Sequence, residues 1–195
     1  ALSDISFRAS VLDAIAFGLR RNAQFYSELY KDTDFVLYEK YTREEICRLL
    51  RWEKEPNYQN IGGYFYDEKT NTFPVFIDYE KDPTISITTQ YEDRFISENR
   101  LIAISKSKRT LESPEIKRLM NNTTNRMRCF LFMRKNKDDA DQGKEFYFLG
   151  EMHPTGEFKE IIMADGATKA VEIGYELEEP VRADLYDYLT TNLDE

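Results

Sequence analysis

From about residue 60 onward the apolar residues of this chain fall on alternate positions, and that change of period constrains the fold more than any other feature. Alternation puts successive side chains on opposite faces of an extended strand, whereas an amphipathic helix needs repeats of three and four. By this test segments 61–66, 73–79, 85–89, 101–104, 128–134, 146–149, 158–163 and 171–177 read as strands. They do not alternate with helical patterns, as the strands of a parallel βαβ sheet would. The expected fold is α+β: a strongly curved, mostly antiparallel sheet or small open β-barrel, preceded by an N-terminal helical segment.

The helical patterns lie mostly ahead of that sheet. Phe7, Val11, Leu12, Ile15 and Leu19 predict a helix over 5–30, capped by Ser3 or Ser6 and weakened at Gly18. Thr42 with Glu45 three residues on has the form of a capping box, followed by the apolar face of Ile46, Leu49 and Leu50 and a stop before Pro56. Ser113-Pro114-Glu115 opens a short helix to about residue 120, and 182–191 reads as an amphipathic helix carrying Leu185, Tyr186 and Leu189. Residues 1–40 are thus expected to be a helical connecting segment and 41–195 a β-rich recognition domain. The start at Ala1 reads as a piece of a larger protein. No apolar run approaches the ~18 residues of a membrane span. Cys47 and Cys129 have no spacing partner and read as reduced, buried thiols. Without a signal-like start, these features predict a cytoplasmic protein with no membrane partner.

The net charge of −9 is unevenly placed. Residues 1–99 carry net −6 and residues 138–195 net −12. Residues 100–137 hold eleven cations (Arg100, Lys106, Lys108, Arg109, Lys117, Arg118, Arg126, Arg128, Arg134, Lys135 and Lys137) against Glu112 and Glu115 alone. Such a block can neutralise phosphates while the rest of the surface repels them and so orients binding. It can equally dock against the acidic segments of its own chain.

Residues that carry chemistry are few. The one histidine, His153, could serve as base only to a nucleophile such as Cys129, which lies in the core-like run Phe130-Leu131-Phe132-Met133. Gly62-Gly63 lacks the helix and lysine of a phosphate loop, and the chain owns too few Cys and His for a structural zinc site. Glu157-Phe158-Lys159 has the Glu-x-Lys form of magnesium-dependent nucleases, with Asp78 or Asp93 as a further acid, in a chain where that tripeptide arises easily by chance. Aromatics are more plentiful: Trp52, Tyr58, Tyr64, Phe65, Tyr66, Tyr79 and Tyr91. They can form base-stacking platforms or simply β-core, and alternation sets Tyr64 and Tyr66 on one side with Phe65 opposite.

Several stretches together carry a family resemblance. They are Tyr-Thr-Arg-Glu-Glu-Ile-Cys-Arg-Leu-Leu-Arg-Trp-Glu at 41–53, Asn-Ile-Gly-Gly-Tyr at 60–64, Phe-Pro-Val-Phe-Ile-Asp-Tyr at 73–79 and Gln-Tyr-Glu-Asp-Arg-Phe at 90–95. Ser-Lys-Ser-Lys-Arg-Thr-Leu-Glu-Ser-Pro-Glu-Ile at 105–116, Phe-Leu-Phe-Met-Arg-Lys at 130–135 and Lys-Glu-Phe-Tyr-Phe-Leu-Gly at 144–150 complete the set. In this order, over 41–189, the chain resembles an uncharacterised domain at the C-terminus of bacterial superfamily-II (DEAD/DEAH-type) helicases, related copies of which accompany restriction-type nucleases. The resemblance implies a helicase motor as partner in the parent chain. ATPase activity would reside there, because the Gly-Lys-Ser/Thr loop of such motors does not occur in this sequence.

The reading is a non-catalytic accessory domain of a DNA helicase or defence-type enzyme, with no cofactor and no metal. Lys106, Lys108, Arg109, Arg126 and Arg128 would contact phosphates, and Trp52 or Tyr64 a base. DNA is the expected partner, at low affinity because of the acidic remainder. The alternative is a protein-interaction or autoregulatory docking module, with a magnesium-dependent nuclease a distant third.

Overall fold

The computed structural model describes residues 4–25, 28–53, 56, 63–79, 93–136 and 144–191. The chain forms two compact units, Ala1–Val36 and Leu37–Glu195. In the first, α1 (Ile5–Phe25) is capped by Asp4, whose carboxylate accepts the Phe7 N–H at 2.9 Å, in place of the serines expected to do so. A tight turn follows in which the Thr33 hydroxyl donates to the Tyr30 carbonyl and Tyr30 N–H to the Phe35 carbonyl. No helix among the described residues is long and apolar enough to cross a membrane.

The second unit is built on a seven-stranded mixed sheet. Its elements are β1 (Lys40–Thr42), α2 (Arg43–Leu49), β2 (Thr72–Asp78), β3 (Arg94–Ser97), β4 (Arg100–Ile104), α3 (Pro114–Met120), α4 (Asn122–Asn125), β5 (Arg128–Arg134), β6 (Glu145–Ile162), β7 (Lys169–Leu177) and α5 (Ala183–Thr190). The order is β2-β5-β6-β7-β4-β3, with β1 added to β6. Pairing is antiparallel except between β2 and β5, which run parallel with Asp78 opposite Arg134. Of the two forms expected, a curved mostly antiparallel sheet or a small open barrel, the described residues form a mostly antiparallel sheet that is not closed. Side chains span the gap between its edges: Tyr79, just after β2, stacks on Phe95 of β3 at 5.9 Å, and Tyr186 of α5 meets Phe95 edge-on at 5.2 Å.

Local signals placed several elements. Thr42 and Glu45 form the full capping box of α2, and Pro114 opens α3. Segments 146–149 and 158–163, read as separate strands, belong to one 18-residue β6 whose register shifts between Pro154 and Phe158. Segment 61–66 contributes only the bridge Tyr64↔Val75 among described residues, and 85–89 lies outside them. The strands β1 and β3 were not anticipated, being too short for an alternation test.

Both faces of the sheet are covered, which is why β5 reads as an unbroken apolar run. One face holds Phe73, Val75, Cys129, Leu131, Ile173 and Tyr175 with Ile116 of α3 and Leu185 of α5. The other is a phenylalanine layer in which Phe76 stacks on Phe132 at 5.7 Å and Phe132 packs on Phe148 at 5.1 Å. The β5–β6 register shifts at Leu131/Phe132, where buried Gly150 adopts φ +104, a conformation that L side chains rarely hold. Gly150→Ala should therefore lower the unfolding free energy by about 1–2 kcal/mol. A urea titration reads this as a lower midpoint at unchanged slope; an unchanged midpoint would mean the bulge relaxes freely.

Candidate nucleic-acid interface

Folding divides the basic block into neutralised and unneutralised members. Arg128 makes a forked pair with Glu151 (3.2 and 2.8 Å) while lying over Phe130. Arg100 meets Glu157 at 3.1 Å and Lys117 meets Glu112 at 2.5 Å. Arg109 pairs with Glu115 and Arg134 with Asp78. Lys135 is buried and donates to the Thr191 carbonyl at 2.6 Å, at the end of α5. Lys137 lies outside the described residues. Of the predicted phosphate contacts, Arg109 and Arg128 thus carry carboxylate partners.

Two of the remaining cations, Lys106 and Arg118, lie over the strip Tyr64-Phe65-Tyr66. This segment hydrogen-bonds along the outer edge of β2, through Phe65 N–H to the Pro74 carbonyl and Phe76 N–H to the Gly63 carbonyl. Lys106, just beyond β4, reaches across to lie over Tyr64 (4.6 Å) and Phe65 (5.6 Å). Arg118 of α3 lies 3.8 Å from the centre of the Tyr66 ring. Tyr66 is fixed through its hydroxyl to the Asn71 side-chain oxygen, and Asn71 donates to the Asn125 carbonyl. Exposed Arg126 follows directly, in the left-handed turn at φ 53 that leads into β5. Lys108, also exposed and left-handed at φ 64, anchors its N–H on the Lys169 carbonyl. Neither Lys108 nor Arg126 has a carboxylate partner among the described residues.

The aromatics predicted to touch a base sit deeper than their neighbours. Trp52 is 9% exposed, donates its indole N–H to the Thr72 hydroxyl at 2.8 Å, and packs on Phe65 at 5.9 Å. Tyr64 is 8% exposed and stacks on Phe73 at 5.1 Å. In this conformation both present packing rather than stacking faces. The half-buried rings of Phe65 and Tyr66 are the ones at the surface. The two sides are those that strand alternation sets: Tyr64 and Tyr66 both contact Phe73, while Phe65 turns to Trp52. Burial, and then the nearby Glu115 charge, push the Tyr64 hydroxyl up to about 12, and it has no hydrogen-bond partner of normal geometry. Burial, followed by repulsion from Arg109, holds the Lys106 ammonium below its ordinary range.

The residues weighed for catalysis are dispersed. Glu157 engages Arg100 and Thr155, Asp78 engages Arg134, and Asp93 accepts the Ile104 N–H at 2.8 Å. Among the described residues no three His, Cys, Asp or Glu side chains gather as a metal site would require. Cys129 is buried with its thiol pushed far up, chiefly by that burial, and His153 turns instead to Glu178 at 2.9 Å.

Residues 35–189 match the model of a family described as a domain of unknown function, DUF3427. No curated protein matches the chain. Among solved structures, KRYPTONITE in complex with mCHG DNA and SAH is 11% identical, with a TM-score of 0.50 over 92% of this chain and 40% of that one. The SUVH5 SRA domain with fully methylated CG DNA is 12% identical, at 0.47 over 80% of this chain and 100% of that one. The DNA recognition domain of the cytosine modification-dependent restriction endonuclease LpnPI is 15% identical, at 0.44 over 62% and 63%. The chain spans less than two thirds of the LpnPI and KRYPTONITE chains. The likeness is one of fold.

Proposed function

The chain belongs to the DUF3427 family, a domain of unknown function, and we propose that it is a non-catalytic DNA-recognition module whose phosphate contacts are Lys106, Lys108, Arg118 and Arg126. One observation carries this reading. In a chain of net charge −9, Lys106 and Arg118, which have no carboxylate partner among the described residues, lie over the half-buried rings of Phe65 and Tyr66. Cations supply sequence-independent attraction to the backbone, and ring faces accept unpaired bases of any kind. Phe65 and Tyr66 take the base-facing role first assigned to Trp52 and Tyr64, while Arg109 and Arg128 hold the surrounding framework. The shared fold with KRYPTONITE, solved with mCHG DNA, supports the same reading. The module serves a larger cytoplasmic protein, an ATP-dependent helicase or other defence-type enzyme, with residues 41–195 as the recognition domain and no cofactor of its own.

The test is an anisotropy titration with labelled single- and double-stranded DNA at low salt. Four neutralised phosphates predict a log–log salt slope of about −3 to −4, at about −0.9 per phosphate. Lys106→Glu with Arg126→Glu should weaken binding to every sequence alike, by about tenfold or more, since phosphate contacts position without specifying. Absence of binding at low salt would sink this reading. It would favour a docking module, for which the internal pairs Arg100–Glu157 and Arg128–Glu151 already argue.

A further inference from the structure

Behind the cations of the proposed interface lies a closed ring of contacts made by residues that have no phosphate role of their own. Asn71 ends the turn between the Tyr64–Tyr66 segment and β2, at φ 53, a left-handed conformation that asparagine adopts more readily than most residues. Its amide nitrogen donates to the Asn125 carbonyl at 2.9 Å, and that backbone partner fixes which way the amide points. The amide oxygen therefore accepts from the Tyr66 hydroxyl, at 3.2 Å. Asn125, the last residue of α4, is likewise used at both ends. Its nitrogen donates to the Arg118 carbonyl at 2.8 Å, and its oxygen accepts the Met127 N–H at 3.0 Å. The ring closes through space, because the Arg118 guanidinium carbon lies 3.8 Å from the centre of the Tyr66 ring. At that separation an edge-on guanidinium would drive a nitrogen into the ring, so the two planes lie close to parallel.

Two arginines are thereby tied to one asparagine. Arg118 is held at its own carbonyl by Asn125 and across its guanidinium plane by Tyr66, which Asn71 anchors in turn. Arg126 is held because the bond from Met127 N–H to the Asn125 side chain spans it, closing a tight turn that keeps it left-handed at φ 53. Ordering a long side chain at the moment of binding costs affinity, and order already present in the free chain avoids that cost. We infer that Asn71 and Asn125 are positioning residues of this surface, which hold Arg118 as a flat fork and Arg126 in its turn, ready for the phosphates of a nucleic-acid backbone. The inference rests on the DNA reading given above and names what makes that surface rigid. A guanidinium stacked on a ring presents its N–H edge in one orientation, which suits forked recognition of phosphate better than a flexible ammonium does.

The experiment compares the unmodified chain with Asn71→Gly, Arg118→Ala and the double variant, each titrated with labelled DNA across a salt series. Glycine keeps the left-handed turn and the bond from Arg128 N–H to the carbonyl of residue 71, so this variant loses the side-chain amide alone. Asn71→Gly should weaken binding by about threefold to tenfold, the effect of freeing one long side chain. Its salt slope should be unchanged, because the same phosphates are still neutralised, whereas Arg118→Ala should make the slope shallower by about one. In the Arg118→Ala background most of the Asn71→Gly effect should vanish, since the two residues act as a unit. NMR relaxation of the Arg118 Nε–H reads the positioning without DNA: rigid in the unmodified chain, mobile in Asn71→Gly. Full DNA affinity in Asn71→Gly, an equal loss with and without Arg118, or an Arg118 that stays rigid in the variant each overturns the inference. Failure of the DNA reading looks different, because there the unmodified chain itself binds nothing at low salt, and the inference falls with it.

Discussion

Trp52→Ala should destabilise the chain by about 3–5 kcal/mol, the range for truncating a large buried aromatic. Its indole is 9% exposed, packs on Phe65 and donates to the Thr72 hydroxyl at the start of β2. Truncation removes buried apolar surface and leaves a cavity beside a strand whose side chains from Thr72 to Ile77 are all buried. The Thr72 hydroxyl keeps one neighbour, Thr70 at 2.8 Å, so most of the loss is packing and only a smaller part a hydrogen bond. Trp52→Phe, which restores most of the volume, should recover most of the stability. Chemical denaturation of the three proteins decides the matter. An undiminished Trp52→Ala midpoint together with altered preference among DNA strands would return Trp52 to the surface role first read from the sequence.

The second large effect lies in alkali. Tyr64 is neutral in both folded and unfolded chains at pH 7, so it gives no pH dependence there. An unfolded tyrosine ionises from its ordinary value of 10.0, whereas folded Tyr64 holds its proton to about 12. The unfolded chain thus releases its proton first, and stability falls as pH rises from about 10 to about 12. A difference of about two pH units is worth about 3 kcal/mol. Tyr64→Phe should remove that share. It also deletes a buried hydroxyl without a partner, so stability at pH 7 should hold or rise. Tyr79 and Tyr175 are likewise raised, chiefly by burial, so the alkaline loss becomes shallower without vanishing. Lys106, held low by burial, works in the opposite sense, since folding favours its neutral form. Equilibrium unfolding across this range is the measurement. Parallel alkaline curves for the two proteins would refute the assignment.

What could be read from the residues was what neighbours in sequence decide. The Thr42/Glu45 box, the proline start of α3 and the core run of β5 each depend on contacts within a few positions. The parallel pairing of β2 with β5 does not, because residues 72–78 and 128–134 carry no mark of which strand they adjoin. The same limit governed the charges. Counting eleven cations could not reveal that Asp78 stands opposite Arg134 in the parallel register, or that Glu151 stands beside Arg128 on the neighbouring strand. Residue type also misdirected the aromatic assignment. Trp52 is the richer stacking surface in principle, but the hydroxyl of Thr72, twenty positions away, captures its N–H and draws it inside.

The long strand β6 bears on how the chain assembles. It pairs with β1 and β5 along its first part and with β7 along its second, so both halves of the sheet are written onto one continuous backbone. On a growing polypeptide, β1 emerges about a hundred residues before the strand that completes it, and β2 must wait for β5. The β3–β4, β5–β6 and β6–β7 pairs join strands adjacent in sequence, whereas β1–β6 and β2–β5 do not. Such sequence-distant pairing is slow, and it leaves apolar strands bare until late in synthesis. The phenylalanines at 73 and 76 are therefore made well before their cover, and the first half of this protein is the part that would rely on a chaperone.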